Sequence, residues 1–456
     1  MSRAEQPRRA GAGQFDIDGV AVARAPLKPG NADLNRLSPE DRPVHQWYRF
    51  VLSYPPHLVR TYLERFGLTA GDCVLDPFCG TGTTVVECKK QGIPSVGVEA
   101  NPMAHFAGRT KVDWTPDPEG LRRHATLVAG AACQALQMDG VDDSHAFAAS
   151  TVDPAVLRTL SADLGDLLLT DSISPLPLHK TLTLLDSLRL HCDERYAAHE
   201  RLAVAKALVF GISNLQFGPE VGVGPLKADA PVVTTWLAGV QTMADDLAAV
   251  QSLGGVESTV YLGDSRQVVQ ALRPGSVSAV ITSPPYPNEK DYTRTTRLES
   301  VLLGFIQSKD DLRVLKRSLV RSNTRGVYKL DDDDQWVAAH AEIQRIAQAI
   351  EARRLELGKT SGFERMYARV TKLYFGGMAR HLAELRPVLR PGAQLAYVVG
   401  DQASYLRVMI RTGQILADIA TSLGYHVESI DLFRTRLATA TREQLREEVV
   451  VLRWPG

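Results

Sequence analysis

The chain has no CxxC pair; its five cysteines are an odd number and lie scattered. That excludes a zinc site built on paired thiolates and points to a reducing compartment, not to a disulfide scaffold. Net charge is also missing, because Lys+Arg and Asp+Glu are both 52. A polyanionic partner would therefore be held by a local basic patch and not by overall charge. No stretch approaches the ~18 continuous apolar residues of a membrane span, and the opening MSRAEQPRRAGAGQ has no apolar core of a secretory leader. No internal repeat is visible. These absences lead us to expect a cytoplasmic protein without a resident metal.

What is present is ordinary globular material: 456 residues, 44% hydrophobic and 23% charged. That is enough for one large α/β domain with insertions or for two or three domains. Residues 1–40, rich in Arg, Pro, Gly and Ala, read as a flexible arm. From PPHLVRTYLERFGL onward, short apolar strands alternate with helices: CVLD, SVGVEA, STVYLGD, SAVITS, QLAYVVGD, YHVESIDLF and EEVVVLRW are the candidate strands. The alternation predicts a doubly wound, mostly parallel Rossmann-like sheet. Its core segments are expected at 41–112, 256–287 and 376–456. Two long, largely helical insertions are expected at 113–255 and 288–375.

The first chemistry lies in VLDPFCGTGTT, where Asp76 ends a strand and Gly80 and Gly82 form a turn before a helix. Without Cβ atoms, that turn can adopt positive φ and let backbone approach a ligand. Glu99 closes the next strand about twenty residues on, an offset at which a carboxylate can accept hydrogen bonds from both ribose hydroxyls. The turn lacks the third glycine of GxGxxG and the Lys-Ser/Thr of a phosphate loop. An adenosine cofactor without phosphates, S-adenosylmethionine, therefore fits best.

DPFCGTGTT closely resembles the cofactor motif of amino-group DNA methyltransferases of the restriction-modification kind, and TSPPY resembles their catalytic motif. SYPPHLVRTYL is similar to the segment that packs on the cofactor's methionine end, and YLGDSR to the one whose acidic residue reaches the adenine. The resemblance covers roughly half the chain and implies a class I methyltransferase fold. Carried onto this sequence, it implies cofactor contacts from Tyr54, Pro55, Pro56, Asp76, Pro77, Phe78, Gly80, Gly82, Thr83, Glu99, Asp264 and Ser265. Cys79 lies inside the cofactor turn and not in a Pro-Cys context, so it reads as packing; a carbon-5 cytosine enzyme, which needs a covalent cysteine, is disfavoured.

The catalytic tetrapeptide is Ser283–Pro284–Pro285–Tyr286. An exocyclic base amine is a poor nucleophile because its lone pair is delocalised into the ring. Pro284 and Pro285 fix φ and donate no N–H, so the Ser283 oxygen and the Pro284 carbonyl are free to accept from that amine. Tyr286 would stack on a base flipped out of double-stranded DNA. Within the family resemblance, Ser at the first position implies the N4 amine of cytosine, with N6 of adenine as the alternative. An RNA amino methyltransferase and an inert DNA-binding subunit rank lower. For DNA contact, LRVLKRSLVRSNTRGVYKL offers Arg317, Arg321, Arg325 and Lys329. The competing reading is a solvated face balanced by the acidic run at Asp331–Asp334. The Gly/Pro-rich SNLQFGPEVGVGPLK is a second candidate lining of the DNA cleft. The recognition sequence, the oligomeric state and a companion restriction nuclease stay open.

Overall fold

Seven strands pair into one sheet: β1 (Val74–Asp76), β2 (Ser95–Glu99), β3 (Ser258–Leu262), β4 (Val277–Thr282), β5 (Leu389–Gly400), β6 (His426–Leu437) and β7 (Gln444–Arg453). The computed structural model describes residues 37–49, 53–143, 152–217, 220–253, 255–270, 272–288, 290–437 and 444–456. The expected arm lies outside them except for its last four residues. Strand order is β3-β2-β1-β4-β5-β7-β6, with β7 antiparallel to both neighbours and the other pairings parallel. This is the Rossmann-like sheet expected from the alternation of strands and helices.

Strand alternation sends neighbouring residues to opposite faces. Leu75 and Val280 meet Val370, Tyr374 and Met378 of helix Tyr367–Leu385 on one side. Val74 and Ile281 meet Leu58, Val59, Tyr62 and Leu63 of helix Pro56–Arg65 on the other. That second helix starts on a proline, whose missing N–H and preset φ suit the first turn. Both faces of the central strands are thereby covered, which is why they read as continuous apolar runs. Each fully buried leucine in these layers contributes on the order of 1.5–3 kcal/mol.

The first insertion is built on helices Pro118–Met138, Pro175–Leu190, Ala197–Ala207 and Val232–Val250. They close around Trp236, whose Nε1 donates to the Glu200 carbonyl at 2.9 Å. The same cluster takes in Val85 and Met103 of the core, so the insertion is packed onto the sheet's own helices. It also carries a two-stranded antiparallel hairpin, Leu215–Phe217 with Val221–Val223. The second insertion includes helices Arg297–Leu302, Lys309–Ser318 and Ala341–Glu356. Its Val301, Ile306 and Leu315 share a cluster with Leu167 of the first insertion, so the two insertions brace one another. Helix Tyr367–Leu385 runs unbroken across the boundary expected between 375 and 376. At Gly376 of that helix, a Cβ would sit 1.9 Å from the Asp333 carbonyl oxygen. Only glycine lets the insertion's acidic segment lie that close.

Candidate active site

The chain leaves β1 toward β2 and β3 and returns through β4 on the other side. The carboxyl ends of β1 and β4 therefore flank the crevice where ligands bind in such sheets. Asp76 and Thr282 are the last residues of those two strands. The Thr282 hydroxyl donates to Asp76 Oδ1 at 2.6 Å, the Tyr54 hydroxyl to Oδ2 at 3.0 Å, and the Phe78 amide to Oδ1 at 3.2 Å. Burial pushes the Asp76 carboxyl up to about 6, against the pull of these donors. Asp76 is fully buried and ties the two strand ends together. It supports the crevice from behind and is not among the residues that line it.

In the following turn Gly80 and Gly82 have φ of 54° and 89°, and Gly82 also lies so close to Gly108 that a Cβ would come within 3.1 Å of its Cα. Cys79 packs against Gly97 of β2, where a Cβ would meet its Sγ at 2.5 Å; burial pushes its thiol well above the ordinary range. Glu99 ends β2 and curls under the turn. Its Oε2 accepts from the Gly80 amide at 2.7 Å and its Oε1 from the Asn101 amide at 2.7 Å. Burial pushes Glu99 up to about 7, and the two amides pull the other way.

A cleft of about 650 Å³ opens over these strand ends. Of the expected cofactor residues, Tyr54, Pro77, Phe78, Gly80, Thr83, Glu99 and Ser265 line it. Pro55 and Pro56 are instead the cap and first residue of helix Pro56–Arg65. Asp264 is held in an ion network. Its carboxylate accepts from Arg266 Nε and, at 2.7 Å, from Nη2, while Arg266 Nη1 donates to Asp333 at 2.5 Å. The arginine two residues on competes for the carboxylate, and only the neighbouring Gly263 and Ser265 reach the cleft.

Ser283, Pro284, Pro285 and Tyr286 line the same cleft from the end of β4. The Ser283 hydroxyl donates to the Val398 carbonyl of β5 at 3.1 Å. Its one hydrogen is thus directed into the sheet, which leaves the oxygen's lone pairs for other donors. The Tyr286 ring rests on Gly400, where a Cβ would lie 2.9 Å from Cε2. Burial, then the nearby Glu447, pushes its phenol up, so it stays neutral.

The basic run divides. Arg321 is buried, paired with Asp331 at 2.8 Å, and donates to the carbonyls of Lys316, Arg317 and Leu319. Its guanidinium holds the insertion together and is neutralised by the acidic run, while the residue also lines the cleft. Arg317, Arg325 and Lys329 are exposed, with Arg317 over the Tyr328 ring and Arg325 over Phe363. Both insertions reach the cleft, through Phe217 and Val221 of the hairpin and through Lys316 and the stretch from Ser318 to Asn323. Lys290 and Arg294, which sequence reasoning passed over, also line it. Their only signal was position just after the tetrapeptide.

The family model described as DNA methylase, of the N6/N4 type, matches residues 34–106. The chain is 25% identical over 458 residues to the type II methyltransferase M.BsoBI of Geobacillus stearothermophilus, covering 91% of this chain and 85% of that protein. It is 23% identical over 455 residues to the type II methyltransferase M.AvaI of Anabaena variabilis, covering 91% and 87%. A tRNA (guanine(10)-N2)-dimethyltransferase of Methanothermobacter thermautotrophicus matches at 37% identity, but over 65 residues, 14% of this chain. A glycine turn, a strand-end carboxylate and a Ser-Pro-Pro-Tyr corner around one crevice agree with these comparisons, which support a restriction-modification DNA methyltransferase: residues 34–106 match the N6/N4 DNA methylase model, and along nearly its whole length the chain is similar to type II methyltransferases.

Proposed function

We propose that the protein transfers a methyl group from S-adenosylmethionine to the N4 amine of a cytosine flipped out of double-stranded DNA. The observation that carries this reading is the Ser283 hydroxyl, which donates to Val398 and lines the cleft it shares with Gly80 and Glu99, so its oxygen is left to accept there. The positive-φ turn and the strand-end carboxylate suit an adenosine cofactor that carries no phosphate. When bound, that cofactor supplies an electrophilic methyl group. Glu99 would hold the ribose hydroxyls, and Tyr54, Pro77, Phe78, Thr83 and Ser265 would shape the rest of its site. Ser283 Oγ and the Pro284 carbonyl would accept from the two hydrogens of the amine and draw its lone pair out of conjugation. Tyr286, backed by Gly400, would stack on the extruded base, a contact worth about 1–3 kcal/mol against an unstacking cost of a few kcal/mol. Serine at the head of the tetrapeptide favours cytosine over adenine, on the resemblance given above.

The test is nucleoside analysis of DNA incubated with protein and cofactor. N4-methylcytosine is the expected product. N6-methyladenine would overturn the base assignment, and unmodified DNA with methylated RNA would overturn the substrate.

A pH prediction follows from Glu99. The carboxylate is the better acceptor for ribose hydroxyls, and burial raises this group to about 7, so it is charged above that pH and protonated below it. Cofactor affinity should therefore tighten as pH rises from about 6 to about 8. Glu99→Gln should flatten that dependence and weaken binding at pH 8, because charge-assisted hydrogen bonds contribute about 1.5–3 kcal/mol each. Calorimetry at three pH values reads both effects. An unchanged profile in the variant would remove Glu99 from the cofactor site.

A further inference from the structure

Six cationic side chains line the cleft: Lys290, Arg294, Lys316, Arg321, Arg434 and Arg436. Four have a carboxylate partner in place. Lys316 pairs with Asp291 at 3.3 Å and Arg321 with Asp331 at 2.8 Å, while Arg434 and Arg436 share Glu447 at 2.5 and 3.6 Å. Among the described residues, the side chains of Lys290 and Arg294 have no hydrogen-bonding or ionic partner, and the Nε of Arg294 is buried without one. A half-buried cation and an orphaned buried donor each cost free energy until an acceptor arrives.

The segment bearing them is braced. Asp291 Oδ1 accepts from the Thr293 amide at 3.0 Å and its hydroxyl at 2.6 Å. Asn323 Nδ2 donates to the Lys290 carbonyl at 3.1 Å, and Arg297 Nε to the Thr293 carbonyl at 3.1 Å. The backbone is therefore fixed by its own cap and by the second insertion, while two positive charges stand open. Burial, then Arg436, pulls the Lys290 ammonium below its ordinary range, against Glu447 and Glu220; an arriving anion would oppose that shift.

Both cations follow Tyr286 within eight residues on the same stretch of chain. A nucleotide turned into this cleft brings its own phosphates with it. We propose that Lys290 and Arg294 form a clamp for the phosphodiester next to the extruded nucleotide, a contact that rests on the DNA-methylating reading above. The alternative source of anionic oxygens is the carboxylate of the cofactor's methionine. Segregation favours phosphate: the cofactor turn lies at the ends of β1 and β2, whereas these cations belong to the segment after β4, at the start of the second insertion and beside its later residues.

The experiment measures binding of a DNA duplex carrying one mismatched cytosine, a base that extrudes readily, by fluorescence anisotropy at several salt concentrations. The proteins are wild type, Lys290→Ala, Arg294→Gln, the double variant and Arg294→Lys. Calorimetry with S-adenosylmethionine is run on each. Loss of one phosphate contact reduces the log–log salt slope by about 0.9, so the double variant should lose about 1.8 while Arg294→Lys keeps the wild-type slope. Cofactor affinity should be unchanged throughout, which also shows that every variant is folded. A wild-type slope in the double variant overturns the clamp, and so does weakened cofactor binding with an unchanged slope, which assigns the cations to the carboxylate. If wild-type protein binds cofactor but no duplex, the DNA reading itself fails; if wild type binds duplex and only the slopes agree, the clamp alone fails.

Discussion

Ser283→Ala should lower single-turnover methylation by roughly 10²-fold or more and leave cofactor affinity nearly unchanged. The size is that of deleting one preorganised hydrogen bond aimed at a transition state. Ser283 suits that role because its hydrogen is committed to the Val398 carbonyl, so the oxygen is already oriented before substrate arrives. The cofactor turn is built by other residues, with Gly80 held by Glu99, and the mutation does not touch that contact. The Val398 carbonyl loses a partner, which costs about 1–3 kcal/mol of stability and is read separately by denaturant unfolding. Tyr286→Ala should differ in kind, weakening capture of the extruded base as well as the rate, because it removes a stacking surface and not an acceptor. A Ser283→Ala protein with near wild-type single-turnover rate would sink the acceptor role, whatever its stability.

Those parts of the site that one continuous stretch specifies were legible in the sequence. The turn between β1 and its helix, the carboxylate at the end of β2 and the tetrapeptide at the end of β4 are each a strand end followed by backbone-determining residues. Strand periodicity with glycine and proline punctuation locates such features. Charge partnership was not legible. Asp264 had the right position for a ligand contact, yet Arg266 two residues on and Asp333 in the second insertion enclose it in an ion network. Arg321 belonged to a basic run in which Arg317, Arg325 and Lys329 are exposed, and only the fold of the Tyr328–Asp331 turn brings Asp331 onto its guanidinium. Lys290 and Arg294 are the reverse case. Nothing in the sequence distinguishes a cation with a partner from one without, because the partners of the other cleft cations come from residues up to 25 positions away, as with Lys316 and Asp291.

Arg266→Ala should cost about 3–5 kcal/mol of folding stability, the range for removing one partner from a buried ion pair. The side chains of Arg266, Asp264 and Asp333 are 8%, 13% and 5% exposed, so water cannot readily replace the lost guanidinium. Arg380 would still face Asp333 at 3.3 Å, but Asp264 would have no cation among the contacts described, and the Arg317 carbonyl would lose its donor at 3.0 Å and keep only Arg321 at 3.3 Å. The cofactor site should suffer as well, because Ser265 of the cleft sits between these charges. Its carbonyl is held from the far side by His381 Nδ1 at 2.8 Å. Burial lowers His381 to about 4, so the ring is neutral at pH 7. With Nδ1–H donating to Ser265, Nε2 is left to accept from the Tyr397 hydroxyl at 2.8 Å. Losing Arg266 releases one of two restraints on this stretch, and cofactor affinity should fall along with stability. Adding Asp264→Asn to Arg266→Ala should recover part of the loss, since the cost lies in the uncompensated carboxylate and not in the missing arginine alone. Urea unfolding of the single and double variants measures this directly. A single-variant loss below about 1 kcal/mol would mean that solvent reaches the network, and a double variant no more stable than the single would place the cost in packing and not in charge.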